Sequence, residues 1–252
     1  MKNLRTLFLS FVGVAIFASL GVVATMQQGG ASQDKQDKTK KVYQPITQTK
    51  ITQSAITPAL ALQLLKDGNA RFVAGEFVNR DARAQIKATA EAQYPYATIL
   101  SCQDSRTSND LLFDLNSGDA FSLRLAGNVV NDDMLGGMEF GSKVAGAKLI
   151  AVVGHTRCGA IYGACDNVKL GHLTGLLDKI KPAIATVPKT IEPRDGKNSA
   201  FVNAVTEANV RYQMQQIRER SPILREMIEK GEIGVVGGIY DITNGQVKFF
   251  DN

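Results

Sequence analysis

Ala97-Thr98-Ile99-Leu100-Ser101-Cys102-Gln103-Asp104-Ser105-Arg106 is an apolar run that ends on a cysteine and two opposite charges. About fifty residues on, Leu149-Ile150-Ala151-Val152-Val153-Gly154-His155-Thr156-Arg157-Cys158-Gly159 repeats the plan with a histidine and a second cysteine. Short apolar runs without polar alternation read as strands buried on both faces of a parallel sheet. Both half-motifs then fall at strand carboxyl ends, where open α/β sheets bind their ligands. Two thiolates and an imidazole form a zinc ligand set, and three protein ligands leave a fourth position for chemistry. Cys102, His155 and Cys158 are the candidate ligands.

The pair Asp104 and Arg106 follows from the same stretch. A two-residue step on a turning backbone can bring both side chains to one side, and a guanidinium can hold a carboxylate through two hydrogen bonds. Such a carboxylate can orient a water at the fourth position. Gly159-Ala160 opens a helix directly after Cys158, so its free amides and dipole are expected to lower that thiol's pKa. Arg106 and Arg157 add positive charge nearby. Cys102 and Cys158 could instead pair as a disulfide, but His155 and Asp104 beside them favour a metal. Cys165 has no motif around it and reads as an inert thiol on a helix.

Outward from these motifs, strands alternating with helices predict an α/β fold, a mostly parallel β-sheet flanked by helices. Order is expected to begin near Thr57-Pro58, a cap followed by proline at the first helical position. Asp81 can cap a helix over residues 82–92, and a strand follows near 120–125. Helices are expected over 135–144, 160–165, from beyond Leu173, over 199–220 and over 222–230. Residues 233–240 and 247–250, joined by Thr243-Asn244-Gly245, read as a strand pair at the sheet edge.

The chain has 252 residues, enough for one well-filled domain, here assigned to residues 54–252. Lys2 and Arg5 precede an uncharged apolar stretch from Leu7 to Val23, and Val22-Val23-Ala24 offers small residues for cleavage. Residues 1–24 are therefore expected to be a secretory signal peptide, or failing cleavage a membrane anchor, and the protein periplasmic or secreted. Residues 25–53, rich in Gln, Lys, Thr and Asp, read as a flexible linker. Net charge is +5, and without Lys2 and Arg5 there remain 27 basic against 24 acidic residues, too even and scattered a balance for nucleic acid.

Taken together, Cys102-x-Asp104-Ser-Arg106 and Gly-His155-x-x-Cys158-Gly resemble the β-class carbonic anhydrases. Asn69-Ala-Arg71-Phe72-Val-Ala-Gly75, Gly118-Asp-Ala-Phe121 and Arg124-Leu-Ala-Gly127-Asn128 resemble the family's supporting segments. The resemblance implies the β-carbonic anhydrase fold, with N-terminal helices packing on a dimer partner and a homodimer or higher even oligomer. It implies one Zn2+ per subunit on Cys102, His155 and Cys158, and reversible hydration of CO2 to bicarbonate by a zinc-bound hydroxide. Asp104 would either ligate zinc in a resting form or pair with Arg106.

Plant-like members line their CO2 pocket with Gln, Phe and Tyr. Gln93 and Phe121 stand at the first two positions, and Phe140 stands where the Tyr would be, keeping an apolar wall but losing a hydroxyl. The tryptophan of a bicarbonate-regulated subgroup is replaced by Ile99. Core packing is an equal reading of Phe121 and Phe140. His172 could relay protons, though a lone loop histidine is more often incidental, and Tyr162 reads as packing. Rival functions are hydrolysis of a CO2 analogue such as carbonyl sulfide or carbon disulfide, or a catalytically silent zinc-binding module. A thiol redox protein would need a Cys-x-x-Cys spacing that Cys102 and Cys158 lack.

Overall fold

A computed structural model describes residues 47–250. The signal peptide or anchor assigned to residues 1–24 and most of the linker lie outside these residues.

The apolar run at Ala97–Ser101 is β1, buried at every position. It pairs in parallel with β2, Ala120–Arg124, on one side and with β3, Leu149–His155, on the other. β4, Gly234–Tyr240, continues the parallel sheet beside β3, and β5, Val247–Phe249, closes it antiparallel, giving the order β2-β1-β3-β4-β5. The absence of polar alternation in β1 and β3 has its cause in the two apolar layers that sandwich them. Ile99, Ala151, Val153 and Val236 face one cluster with Leu65, Leu112 and Phe113, while Leu100, Ile150, Val152 and Val235 face a second with Val210, Ile217 and Leu224.

The first layer is laid down by α2, Pro58–Ala74, capped by the Thr57 side chain and ended by Gly75 in the left-handed region at φ 68°. Gly68 lies inside this helix, where glycine costs roughly 1 kcal/mol against alanine. A Cβ there would stand 1.9 Å from the Phe113 carbonyl oxygen, so the missing methyl is what lets α2 close on α4, Asn109–Leu112. The opposite layer is dominated by α9, Ser199–Arg220, which buries Phe201, Val202, Val205, Asn209, Val210, Gln213 and Ile217 along one stripe. α10, Pro222–Glu229, follows with Ser221 as its cap.

Several boundaries differ from the sequence expectation for identifiable reasons. Order starts before Thr57: α1, Lys50–Ser54, is held by reciprocal Thr49 and Thr52 bonds. Its Gln53 donates to the carbonyls of Pro95 and Ala145, both at 2.7 Å, so a segment polar enough to read as linker is pinned by distant backbone. α3 spans Ala82–Thr89, ending earlier than residue 92. The helix expected over 135–144 begins at Asp132, capped by Asn131, and as α5 runs to Glu139 before widening into a π turn over Phe140–Val144. The segment expected beyond Leu173 starts at Gly171 as α7, Gly171–Asp178, and α8, Lys181–Thr186, follows.

Asp119, ahead of β2, is buried, with Oδ2 accepting from the Asn116 amide at 2.8 Å and from Asn116 Nδ2 at 3.0 Å. Burial pushes its carboxyl up to about 6, against the pull of those Asn116 bonds.

Candidate metal centre

Ser101 lies beside Val153 in the sheet, so the residues that follow these strands emerge side by side. Cys102 follows β1 directly and His155 is the last residue of β3. The chain then reverses through Thr156 and Arg157, the latter in the left-handed region at φ 56°, and returns Cys158 as the residue capping α6, Gly159–Cys165. The two sulfurs stand 3.8 Å apart, unbonded, and the ligand atoms of Cys102, His155 and Cys158 all lie within 4.8 Å of one another. All three residues are buried.

The histidine is set for a cation. Its Nδ1 lies 2.9 Å from the Thr156 carbonyl oxygen, which can only accept, so Nδ1 carries the proton. The Nε2 lone pair is left buried and without a protein partner. An unpartnered imidazole nitrogen facing two thiols fits a tetrahedral metal such as zinc.

The thiols share their acidity unequally. Cys102 is pulled down to about 4, first by the hydrogen bond from Cys158 and then, against burial, by His155 and the Gly127 amide, whose nitrogen is 3.4 Å from the sulfur. Cys158 is pushed up, chiefly by that same bond to Cys102 and by burial. The Ala160 and Ile161 amides do pull in the expected direction, but the neighbouring sulfur takes the negative charge first.

Asp104 is turned to Arg106. Its Oδ1 accepts from the Arg106 backbone amide and from Nε, both at 2.9 Å, and its Oδ2 accepts from Nη2 at 2.7 Å. Arg106 holds the carboxyl well below the usual carboxylate range. Oδ2 is also 3.9 Å from His155 Nε2, so the carboxylate borders the cluster without joining it.

Thr107, which no motif singled out, and Arg124, from the supporting segment at 124–128, hold this loop. Thr107 Oγ1 donates to the carbonyls of Cys102 and Asp104, each at 2.8 Å, and Arg124 at the end of β2 donates to the same carbonyls at 3.2 and 2.6 Å. Tyr240 is the strand neighbour of His155, and burial raises its phenol.

A family model described as carbonic anhydrase matches residues 97–247, which contain every one of these groups. The chain belongs to the carbonic anhydrase family. A carbonic anhydrase of Mycolicibacterium smegmatis is 32% identical over 197 residues, covering 76% of this chain and 92% of the relative. Carbonic anhydrase 2 of Mycobacterium tuberculosis is 31% identical over 201 residues, covering 77% and 94%. Among solved structures, the β-carbonic anhydrase of Aspergillus fumigatus superposes with a TM-score of 0.60 at 24% identity, over 77% of this chain and 90% of that one. The Coccomyxa β-carbonic anhydrase in complex with acetazolamide gives 0.59 at 24%, over 66% and 76%. The fold is therefore that of the β class.

Within this carbonic anhydrase chain the three pocket candidates do not meet the metal cluster. Phe121 is the strand neighbour of Thr98, four positions before Cys102, roughly 13 Å back along β1. Phe140 packs edge-on against Phe121 at 5.7 Å between ring centres and is 48% exposed. Gln93 is exposed ahead of β1 and shares a shallow hollow with Gly118. All three belong to the opposite end of β1, on the β2 side of the sheet. His172 is exposed on α7, and Tyr162 packs in the apolar layer beside Cys158. Cys165 stands outside the cluster, its thiol raised to about 11 by burial.

Proposed function

We propose that this chain is a zinc-dependent carbonic anhydrase, a carbonate dehydratase that interconverts CO2 and bicarbonate outside the cytosol. The observation that carries this is the buried, unpartnered Nε2 of His155 facing two thiols, with the Arg106-held carboxylate of Asp104 at its border. Cys102, His155 and Cys158 would hold one zinc ion per subunit. When bound, zinc supplies an acidified water near neutral pH, with a pKa of about 7 in a carbonic anhydrase whose metal has three histidine ligands, a different ligand set from this one.

The chain's residues supply the rest. The two thiolates and the imidazole would hold the ion, with Thr156 orienting the ring through Nδ1. Asp104, kept ionised by Arg106, would accept a hydrogen bond from the reacting water, while Arg106 keeps both carboxylate oxygens aimed. Thr107 and Arg124 hold the turn that carries them. An apolar wall is needed for CO2, and Phe121 and Phe140 cannot provide it at their own metal cluster. We assign them, with Gln93, to the pocket of a partner subunit, against which the N-terminal helices would also pack. The protein is then a homodimer or a larger even oligomer. Among the described residues no helix is long and apolar enough to cross a membrane, and export rests on the charge and apolar pattern of residues 1–24.

Stopped-flow CO2 hydration, with zinc content measured on the same sample, tests this. Catalysis proportional to zinc is expected. A zinc-loaded protein inert toward CO2 would overturn it, and turnover of carbonyl sulfide or carbon disulfide instead would assign it to a CO2 analogue.

A further inference from the structure

Three buried side-chain and backbone groups run from α9 to the sulfur of Cys102. Gln213 and Asn209 lie one helical turn apart on the core face of α9 and are 1% and 0% exposed. Two amides in the middle of an apolar stripe are costly unless every polar atom is paired. Here the pairing has only one direction. The Val130 amide can only donate, and it reaches Gln213 Oε1 at 2.9 Å. Gln213 Nε2 must then donate to Asn209 Oδ1, at 3.0 Å, and Asn209 Nδ2 to the carbonyl of Gly127, at 2.8 Å. Gly127 in turn points its own amide at Cys102 Sγ, at 3.4 Å.

Gly127 needs such an anchor. It sits at φ 67° and is followed by Asn128 at φ 45°, two successive left-handed residues, the second carrying a Cβ. A side chain at Gly127 would be strained by this φ, and its Cβ, 2.8 Å from Ile180 Cδ1, would push that methyl aside. Gly127 has no side chain to pack, and within the turn the Asn128 amide donates to the Leu125 carbonyl at 2.8 Å. The Asn209 amide fixes the carbonyl end of Gly127.

We infer that Asn209, locked by Gln213, is a positioning residue for the metal centre: it holds the Gly127 amide on Cys102 and so sets how much charge that thiolate gives to the metal. This rests on the zinc reading above. A hydrogen bond to a ligand sulfur withdraws electron density from it, which matters most where two thiolates already weaken the metal as a Lewis acid. Asp104 borders the cluster from its solvent side, whereas the Gln213–Asn209–Gly127 relay reaches it from the core side.

Cobalt(II) substitution reads the sulfur directly through its thiolate-to-metal charge-transfer absorption. In Asn209→Ala the band is expected to move to longer wavelength, because a more electron-rich thiolate is easier to oxidise. The midpoint of the pH–rate profile should rise, and kcat/KM should fall about tenfold, the lower end of the effect of losing a partner of a metal ligand. Gln213→Met, which frees the Asn209 amide to turn, should move the band in the same direction even if Asn209→Ala does not fold. Ile217→Val, a core truncation on the same helix, should leave band and midpoint in place. A band and midpoint unchanged in both Asn209→Ala and Gln213→Met, or an equal shift in Ile217→Val, would overturn the assignment. Failure of the wild-type protein to take up cobalt would instead count against the metal centre itself.

Discussion

Arg106 grips Asp104 at both carboxylate oxygens, through Nε to Oδ1 at 2.9 Å and Nη2 to Oδ2 at 2.7 Å, while its own backbone amide adds a third bond. Arg106 is itself half exposed and Asp104 mostly covered, so the pair opens to solvent only on the arginine side. The geometry leaves Asp104 3.9 Å short of His155 Nε2. Arg106→Ala should therefore cut CO2 hydration by about ten- to a hundredfold, the range for loss of an orienting group around a metal site, with zinc content unchanged. Arg106 lowers the Asp104 pKa, so its loss lets that pKa climb toward the ordinary value near 3.8 and leaves the group ionised at neutral pH. The deficit should accordingly be of similar size from pH 6.5 to 9. A deficit confined to acidic pH would mean that Arg106 acts by keeping Asp104 charged, not by aiming it.

Cys102→Ala, His155→Ala and Cys158→Ala should each purify without stoichiometric zinc, and Cys165→Ser should retain it. The first three supply the clustered ligand atoms, and Cys165 lies outside the cluster. Because a bound metal stabilises the state that binds it, a chelator should lower the melting temperature of wild type and Cys165→Ser but not of Cys158→Ala. Full zinc in Cys158→Ala would remove the ligand assignment.

Sedimentation should find a dimer or a larger even assembly. Phe121→Asp, a charge placed in the half-buried Phe121–Phe140 pair on the outermost parallel strand, should weaken association and reduce activity together. An active monomer in dilute solution would show that one chain builds the whole pocket.

Stability should carry the mark of Asp119. Its folded pKa of about 6 lies above the ordinary 3.8, so the folded state binds the extra proton between these values. Stability from this group is then greatest at low pH and falls as pH rises from about 4 to about 6, by at most ~3 kcal/mol. The difference in unfolding free energy between wild type and Asp119→Asn, measured in urea at pH 4.5 and 7.5, should shift by that sign. An identical difference at both pH values would mean that Asp119 ionises as freely folded as unfolded.

The metal cluster was legible in the sequence because strand pairing turns spacing into position. Once β1 and β3 are neighbours, Cys102 and His155 must emerge together, and a two-residue reversal brings Cys158 back. The sheet, α2 and α9 were legible for a similar reason, since apolar runs and caps act locally. What stayed hidden depends on contacts between distant segments. Gln53 reads as linker until the Pro95 and Ala145 carbonyls claim it. Asn209 and Gln213 look like surface residues of a polar helix, although their i, i+4 spacing in line with Val202, Val205 and Ile217 was a usable signal. The opposing pulls on the two thiols depend on their 3.8 Å separation, and motif spacing carries no information on that.

Phe121 and Phe140 sit at the opposite end of β1 from Cys102, which would separate the two halves of the proposed site along one strand. A subunit stripped of its metal by Cys158→Ala still carries sound phenylalanines, and one crippled by Phe121→Ala still carries a sound ligand cluster. In the dimer proposed for this chain, each would lend what the other lacks. Two inactive alleles expressed in one cell would then complement each other, every mixed dimer regaining one whole centre and keeping one doubly damaged. Selection on this protein would then act on pairs of copies, and a defective copy would be masked by a differently defective one.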